Sequence, residues 1–371
     1  VKQSLTENTF RTIAPESASE TNLRTVSFTR LRKFLESPLQ STASHLLRLD
    51  EDEEERGDKI DEPLVLERLS EWSLIRKVWD NALTVRKNSS YSKAHPEWQK
   101  LYQLHAQHME LEGEMPSGIF KGAMQTRHLR ILKSWQKQLT ATLQIDWSTL
   151  QKNLRQFHFG AVRVGTFDSG LTESHQLHPE LSIENENPAE SEEKNICTKI
   201  HGKTEWCYTD DSENWHLIYF SERESKDKTW LRHFLDVLIL RAANVLPENA
   251  KVTWLCIAPE GKLRSREIRL PARQQAQDYL FDLVHEMNAE NAAVLMPVES
   301  VFELAKENLS STNYNQRFVE WMDGKLNSPR ENMGISSQYG TVKFLKDVPY
   351  PENPYQLMNR RFQLFFETIS A

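Results

Sequence analysis

The 371-residue chain has little cysteine, little glycine and no long apolar run. Its three cysteines are too few and too widely spaced for a disulfide framework or a paired Cys-x-x-Cys metal site; they are Cys197, Cys207 and Cys256. Residues 234–246 are the most apolar stretch, but Asp236 and Arg241 interrupt it and it is too short to cross a bilayer. We therefore expect a cytoplasmic protein with reduced thiols.

Charge is unevenly distributed along the chain. The net charge is -7, the sequence pI is about 6.0, and the acid excess lies in residues 50–55 and 184–193, which we interpret as solvated loops. A surface of this sign repels nucleic acid, so any DNA contact must come from a local basic patch. Residues 1–24 are polar, lack the basic front and apolar core of a signal peptide, and are interpreted as a linker.

Hydrophobic periodicity predicts helices first, then strands, then helices with interspersed strands. Helices are predicted at 27–36, 64–85, 122–143, 230–246, 274–288 and 362–369. Strands are predicted at 157–167, within 196–221, at 252–258 and at 294–297. This order indicates an α/β unit with a small central sheet wrapped by helices, as in restriction-nuclease-like cores.

Five segments in order resemble the carboxy-terminal part of RecC, the gamma subunit of the exodeoxyribonuclease V helicase-nuclease. They are residues 27–38 (SFTRLRKFLESP), 61–69 (DEPLVLERL), 115–122 (MPSGIFKG), 230–234 (WLRHF) and 295–304 (LMPVESVFEL). Residues 144–200 contain no segment that resembles RecC. We interpret them as a possible insertion into a domain that spans residues 25–371. The resemblance implies a degenerate PD-(D/E)xK core, a role in double-strand break repair by recombination, and as partners RecB-like and RecD-like helicase subunits and DNA at a duplex end or fork.

Active nucleases of this fold hold a metal ion with an Asp on one strand and an acid two residues before a Lys on the next. If the corresponding strands are residues 202–208 and 217–222, Glu205 replaces the Asp, and Ile218 or Tyr219 replaces the second acid. Phe220 or Ser221 then stands where the Lys should be. We therefore expect a nuclease-like domain with no catalytic residues and no metal.

Other sites are weighed against this interpretation. An active nuclease in another register would use Asp211, Glu222 and Lys226, but three residues separate the last two instead of one. An iron–sulfur cluster is excluded because it needs four suitable ligands and the chain has three cysteines. A P-loop is excluded because residues 165–170 lack the Lys-Ser or Lys-Thr that such a loop requires. The candidate ligands of a zinc site are His175, His178, Glu180 and His201. We favour ordinary surface positions for these residues over zinc binding, because no second ligand pair has the usual spacing. No cofactor is predicted, and ATP use is assigned to the partner subunits.

Two basic segments are candidates for DNA contact. Lys262, Arg264 and Arg266 alternate at period two, with Arg269 and Arg273 close behind, so they could meet phosphates from one face of a strand. The second is an edge of the helix after residue 122, for which a solvated amphipathic face is the favoured interpretation; its cations are Arg127, Arg130, Lys133 and Lys137. Two functions remain open, a DNA-handling scaffold and a protein-docking module without DNA contact.

Overall fold

The described part of the chain is discontinuous. A computed structural model describes residues 23–39, 41–42, 66, 68–84, 96–160, 175–184, 197–221, 229–259, 261–289, 294–307, 309–326 and 350–369. Within these ranges, every helix is too short or too polar to span a bilayer.

Nine strands form one sheet within the described ranges. They are β1 (Leu23–Ser27), β2 (Leu154–Phe159), β3 (His175–His178), β4 (Leu181–Glu184), β5 (Cys197–Lys203), β6 (Trp206–Thr209), β7 (Trp215–Phe220), β8 (Val252–Ile257) and β9 (Leu263–Ile268). The main order is β1-β5-β2-β6-β7-β8-β9, while β3 pairs with β2 and β4 pairs with β5. Three pairs are parallel, β1 with β5, β2 with β3 and β7 with β8, and the others are antiparallel.

Helices cover both faces of this sheet. They are α1 (Phe28–Glu36), α2 (Arg68–Thr84), α3 (Trp98–Leu111), α4 (Gly118–Leu143), α5 (Trp147–Asn153), α6 (Trp230–Ala242), α7 (Arg273–Met287), α8 (Val298–Leu304), α9 (Ser311–Leu326) and α10 (Pro354–Ile369). The mixed α/β class is confirmed, but the sheet is larger than the small one predicted.

The central strands bury side chains on both faces, because their residues alternate between two hydrophobic cores. In β7, Leu217 and Tyr219 join the core formed with α1 and α6 to α10, whereas Ile218 and Phe220 join the core formed with α2 to α5. Strand β8 divides in the same way. The sheet is therefore a middle layer between two helical layers.

Indole rings hold the α2 to α5 layer together. Trp79 of α2 stacks on Trp98 of α3 with ring centroids 5.4 Å apart, and it contacts Trp135 and Trp147 edge-on. Phe220 of β7 lies 4.6 Å from Trp79, which connects this cluster to the sheet. Burial of such large rings contributes several kcal/mol through apolar area alone.

Most predicted helices are confirmed. Ser27 caps α1, since its side chain accepts the Arg30 backbone N–H at 3.2 Å. Helix α3 was missed, although its buried Trp98, Tyr102 and Ala106 recur every four residues, as helical spacing predicts. The strand predicted at 294–297 is wrong: these residues run into α8 and are largely buried without joining the sheet.

Several predictions fall wholly or partly on residues that are not described. The acidic segment 50–55, the P-loop candidate at 165–170 and most of the linker lie there, although Leu23 and Arg24 of that linker belong to β1. Of the predicted insertion 144–200, the described residues include α5 and β2, and β2 lies between β5 and β6 in the sheet. The insertion stays a prediction.

Candidate functional site

Glu205 lies in the connection between β5 and β6, where three helices converge. Its carboxylate accepts a hydrogen bond from Arg76 Nη2 of α2 at 2.9 Å, and its backbone N–H donates to Asp236 Oδ2 of α6 at 2.9 Å. The Glu205 side chain is 12% exposed and that of Asp236 is fully buried. Asp236 is in turn ion-paired with Arg32 of α1.

Arg232 of α6 extends this arrangement to Tyr219. Its Nη1 donates to the Tyr219 hydroxyl at 2.8 Å, its guanidinium lies 5.2 Å from the centre of the tyrosine ring, and its Nε is 3.5 Å from a Glu36 carboxylate oxygen. We call this set the Glu205 network. Its charged members are Arg32, Glu36, Arg76, Glu205, Arg232 and Asp236.

Burial and the guanidinium groups shift the pKa values within the Glu205 network in opposite directions. Burial alone would raise the pKa of Glu205, but Arg76, Arg32 and Arg232 outweigh it and lower the pKa to about 2. For Asp236, burial is the stronger effect and raises the pKa to about 6, against the opposing attraction of Arg32. Glu205 is therefore ionised at neutral pH, with its charge balanced by arginine.

The positions aligned with a nuclease site are brought near one another. Tyr219 is 8% exposed, and burial raises the pKa of its hydroxyl to about 12. Ser221 is also buried and directly follows the end of β7, with its backbone N–H bonded to Ile257 O at 2.9 Å. Neither side chain offers the acid or the ammonium group of a PD-(D/E)xK site. The assignment of a PD-(D/E)xK core stays a prediction.

The alternative nuclease residues lie partly outside the described residues, and the candidate zinc ligands His178 and Glu180 have other neighbours. Asp211 lies in the turn between β6 and β7, while Glu222 and Lys226 lie outside the described residues. The His178 ring stacks on Phe159 at 5.2 Å, and Glu180 is 3.5 Å from Lys199. Among the described residues, no group of three or more His, Cys, Asp or Glu side chains is arranged to hold a metal ion.

Strand β9 ends the main strand order and carries part of the predicted basic stripe. Lys262, Arg264 and Arg266 are exposed, and the latter two lie opposite Cys256 and Trp254 of β8. They share one face of the strand because residues at i and i+2 point the same way.

The remaining two members of the stripe lie elsewhere. Arg269 lines a cavity of about 730 Å³ beside α10. Arg273 begins α7 and donates from Nε to Ala242 O at 3.3 Å. The structure therefore groups three of the five predicted DNA contacts.

The turn between β8 and β9 packs against α4. Trp135 Nε1 donates to Ala258 O at 3.1 Å, at the end of β8. Gly261 has a φ of +78°, and a side chain at this position would collide with Ser134 Oγ of α4. The turn that precedes β9 is thus adjacent to α4, whereas Arg264 and Arg266 lie opposite Cys256 and Trp254, whose side chains belong to the core on the other face of the sheet.

Sequence reasoning missed the arginines that surround Glu205. Arg76 lies 129 residues from Glu205 along the chain, and nothing local connects the two. Asp236 did carry a signal, since an acid inside an apolar helix is costly unless it is paired. Its partner Arg32 could not be identified from spacing.

Comparisons with known proteins agree with the resemblance of the five segments. The family model described as "RecC C-terminal domain" matches residues 23–309. No curated protein matches the chain. A solved structure described as "Crystal structure of SSO0001" is 14% identical, covers 61% of this chain and 89% of that chain, and has a TM-score of 0.22, at which no conclusion about fold follows. The family match covers most of the chain, which therefore belongs to the RecC C-terminal domain family, that of the exodeoxyribonuclease V gamma subunit of DNA repair and recombination.

Proposed function

We propose that this chain is a non-catalytic, DNA-handling and scaffolding domain of the gamma subunit of an ATP-dependent helicase-nuclease. Family membership supports a RecC-type role in RecBCD-type repair, and with it assembly with RecB and RecD subunits. In the proposed role, the domain contacts DNA at a duplex end or fork and braces the helicase subunits during repair of double-strand breaks.

The observation that carries the non-catalytic part is the ion pair between Arg76 and Glu205. Nuclease chemistry of the PD-(D/E)xK kind needs carboxylates that share a divalent cation and a lysine that stabilises the developing charge. The negative charge of Glu205 is instead balanced by the guanidinium groups of nearby arginines. These groups are part of the chain and, unlike a metal ion, cannot dissociate from it. Glu205 is thereby used to hold α2 against the sheet.

A cleavage assay with a metal titration tests this part. We expect linear duplex DNA to stay intact with Mg²⁺ or Mn²⁺, and calorimetry to detect no binding of either ion that depends on Glu205. Glu205→Gln is the diagnostic variant, because it removes the carboxylate charge and keeps the shape. Cleavage by the parent chain that disappears in this variant would establish an active nuclease and refute the proposal.

The DNA-handling part is supported by the cations of β9. Exposed arginines on an edge strand also discourage pairing with another sheet, so their presence alone does not decide between the two roles. Binding of forked DNA at two salt concentrations does, because neutralising phosphates makes affinity fall steeply with salt. We expect salt-dependent binding that is weakened in Arg264→Glu/Arg266→Glu.

A protein-docking module is the second candidate, and one surface favours it. Leu111 at the end of α3 is 90% exposed, and Ile119 and Phe120 at the start of α4 are 88% and 55% exposed. Exposed apolar side chains that lie close together commonly mark protein interfaces. Absent or salt-insensitive DNA binding would favour docking alone.

A further inference from the structure

Large exposed hydrophobic side chains are concentrated where α3 ends and α4 begins. Among the described residues six such side chains are exposed, and four of them fall within residues 104–120. Leu104, which is 59% exposed, joins Leu111, Ile119 and Phe120 there. Single exposed apolar residues are common on protein surfaces, whereas a cluster of them marks an interaction site.

Helix α3 has a second apolar stripe besides its buried face. The buried face carries Trp98, Tyr102 and Ala106. Leu104 and Leu111 are seven residues apart on the outward side, which is two helical turns or about 10 Å along the axis. The outward side of a surface helix is ordinarily polar, because water solvates it. This stripe therefore lacks a covering element among the described parts of the chain.

The start of α4 continues the stripe of α3. Residues 112–117 connect the two helices, and Lys121 of α4 is ion-paired with Glu110 of α3. Lys121 follows Phe120 and Glu110 precedes Leu111, so this pair brings the exposed residues of the two helices side by side. We call Leu104, Leu111, Ile119 and Phe120 the α3–α4 tip.

Acidic residues surround the α3–α4 tip. Glu110, Glu112 and Glu114 lie between its two halves, and the adjoining Lys121 is the single lysine or arginine of residues 104–121. The tip is therefore negatively charged with its histidines neutral. Charge of this sign repels the phosphates of nucleic acid and of anionic lipids. A second copy of the tip is also disfavoured, because it would bring two acidic rims together.

We infer that the α3–α4 tip docks a basic amphipathic helix of a helicase subunit. The inference rests on the scaffolding part of the proposed function and adds the surface and the chemistry of the partner. Apolar anchors of the partner helix, spaced over two turns, pack against Leu104 and Leu111. Its flanking lysines or arginines lie beside the glutamates. A helix fits better than a strand, because the tip presents the side of a helix and not the edge of a sheet.

Binding of the full chain to the purified helicase subunits tests the α3–α4 tip. Leu111→Ser/Phe120→Ser removes apolar area from the tip, and Glu112→Lys reverses one charge of its rim. Leu177→Ser is the matched control, because Leu177 is a 57% exposed leucine on β3. Thermal melting confirms that each variant is folded.

The two tip variants should both weaken binding. Leu111→Ser/Phe120→Ser should lower affinity by roughly tenfold or more, since a few apolar anchors carry most of the affinity of an interface. Glu112→Lys should lower it by a smaller factor that shrinks as salt is added, because salt screens the attraction between charges. Leu177→Ser should bind as the parent does.

The contrary outcomes separate this inference from the proposed function. Parent binding that neither tip variant weakens, or that Leu177→Ser weakens equally, would overturn the α3–α4 tip as the docking site and leave scaffolding standing. A parent that binds no helicase subunit would refute scaffolding itself. Tighter binding by Glu112→Lys would overturn the basic partner in favour of an acidic one.

Hydrogen exchange of the complex identifies the occupant of the tip. Residues 104–121 should become protected together with one segment of a helicase subunit, and that segment should carry cations beside apolar residues at helical spacing. Protection of an acidic or extended segment would overturn the assignment. Self-association of the parent in analytical ultracentrifugation that is lost in Leu111→Ser/Phe120→Ser would overturn it as well, because a second copy would then be the occupant.

Discussion

Arg76 of α2 holds Glu205 of the β5–β6 connection through a 2.9 Å ion pair in which both side chains are largely buried. This pair links the α2 to α5 layer to the strand connection that also contacts α6. Removing one partner leaves an uncompensated charge away from water, so the pair is sensitive to substitution whether or not its formation is favourable overall.

Arg76→Met should destabilise the fold. The change keeps much of the apolar stem and removes the guanidinium, so Glu205 loses its direct partner. We expect the free energy of unfolding to fall by about 3 kcal/mol, measured by urea denaturation at neutral pH.

Two further variants give this prediction its controls. Glu205→Gln in the Arg76→Met background should recover part of the loss, because it removes the unpaired charge. Arg317→Met breaks an exposed pair with Glu320 and should cost little stability, because water screens both charges. Equal costs for Arg76→Met and Arg317→Met would show that the Arg76–Glu205 pair is no more important than a surface contact.

Acid should weaken the contribution of Glu205 to the stability of the folded state. Its pKa is about 2 in the folded chain and ordinarily 4.5, so the unfolded chain binds the proton more readily. The stabilisation is present above pH 4.5 and is lost as the pH falls from there towards 2. A shift of this size corresponds to about 3 kcal/mol.

The measurement compares the parent with Glu205→Gln by urea denaturation across this pH range. The difference in unfolding free energy should be largest near neutral pH and shrink below pH 4.5. A difference that stays constant with pH would mean that Glu205 does not titrate as described.

His233 makes the fold acid-sensitive at a higher pH. It is fully buried in α6, its Nε2 donates to Leu255 O at 3.2 Å, and burial lowers its pKa to about 4. The unfolded chain takes up this proton near pH 6.5 and the folded chain does not, so stability falls as the pH drops from 6.5 towards 4.

His233 contributes at most about 1.4 kcal/mol per pH unit to the slope of the unfolding free energy against pH. His233→Phe keeps an aromatic ring beside Trp230 and Trp254 and should flatten the slope by that amount. Parallel curves for the parent and His233→Phe would contradict the prediction.

Local signals explain which elements the sequence could predict. Helix α1 has a capping Ser27 and a regular buried face, and α7 has its inner residues at helical spacing, so short-range rules were sufficient. The pairing of β2 with β5 and β6 joins distant segments, and no local rule specifies it.

The candidate site residues also fall into two groups, those predictable from local spacing and those that depend on tertiary contacts. Alternation in the sequence predicts one shared face for Lys262, Arg264 and Arg266, because period two is a property of the strand itself; their contact with DNA stays a prediction. The proximity of the β8–β9 turn to α4 depends on Gly261 fitting against Ser134, which is a tertiary contact between segments more than a hundred residues apart. Spacing alone therefore could not predict that contact.

Gly261→Ala tests that contact directly. Alanine at a φ of +78° is strained, and its Cβ would force Ser134 to move, so we expect a loss of about 2 kcal/mol in unfolding free energy. Gly122→Ala is the matched control: Gly122 lies inside α4, nothing lies within 4 Å of an added Cβ, and alanine is the better helix former. It should therefore be neutral or slightly stabilising. A Gly261→Ala chain as stable as the parent would show that the turn between β8 and β9 does not depend on its close packing against α4.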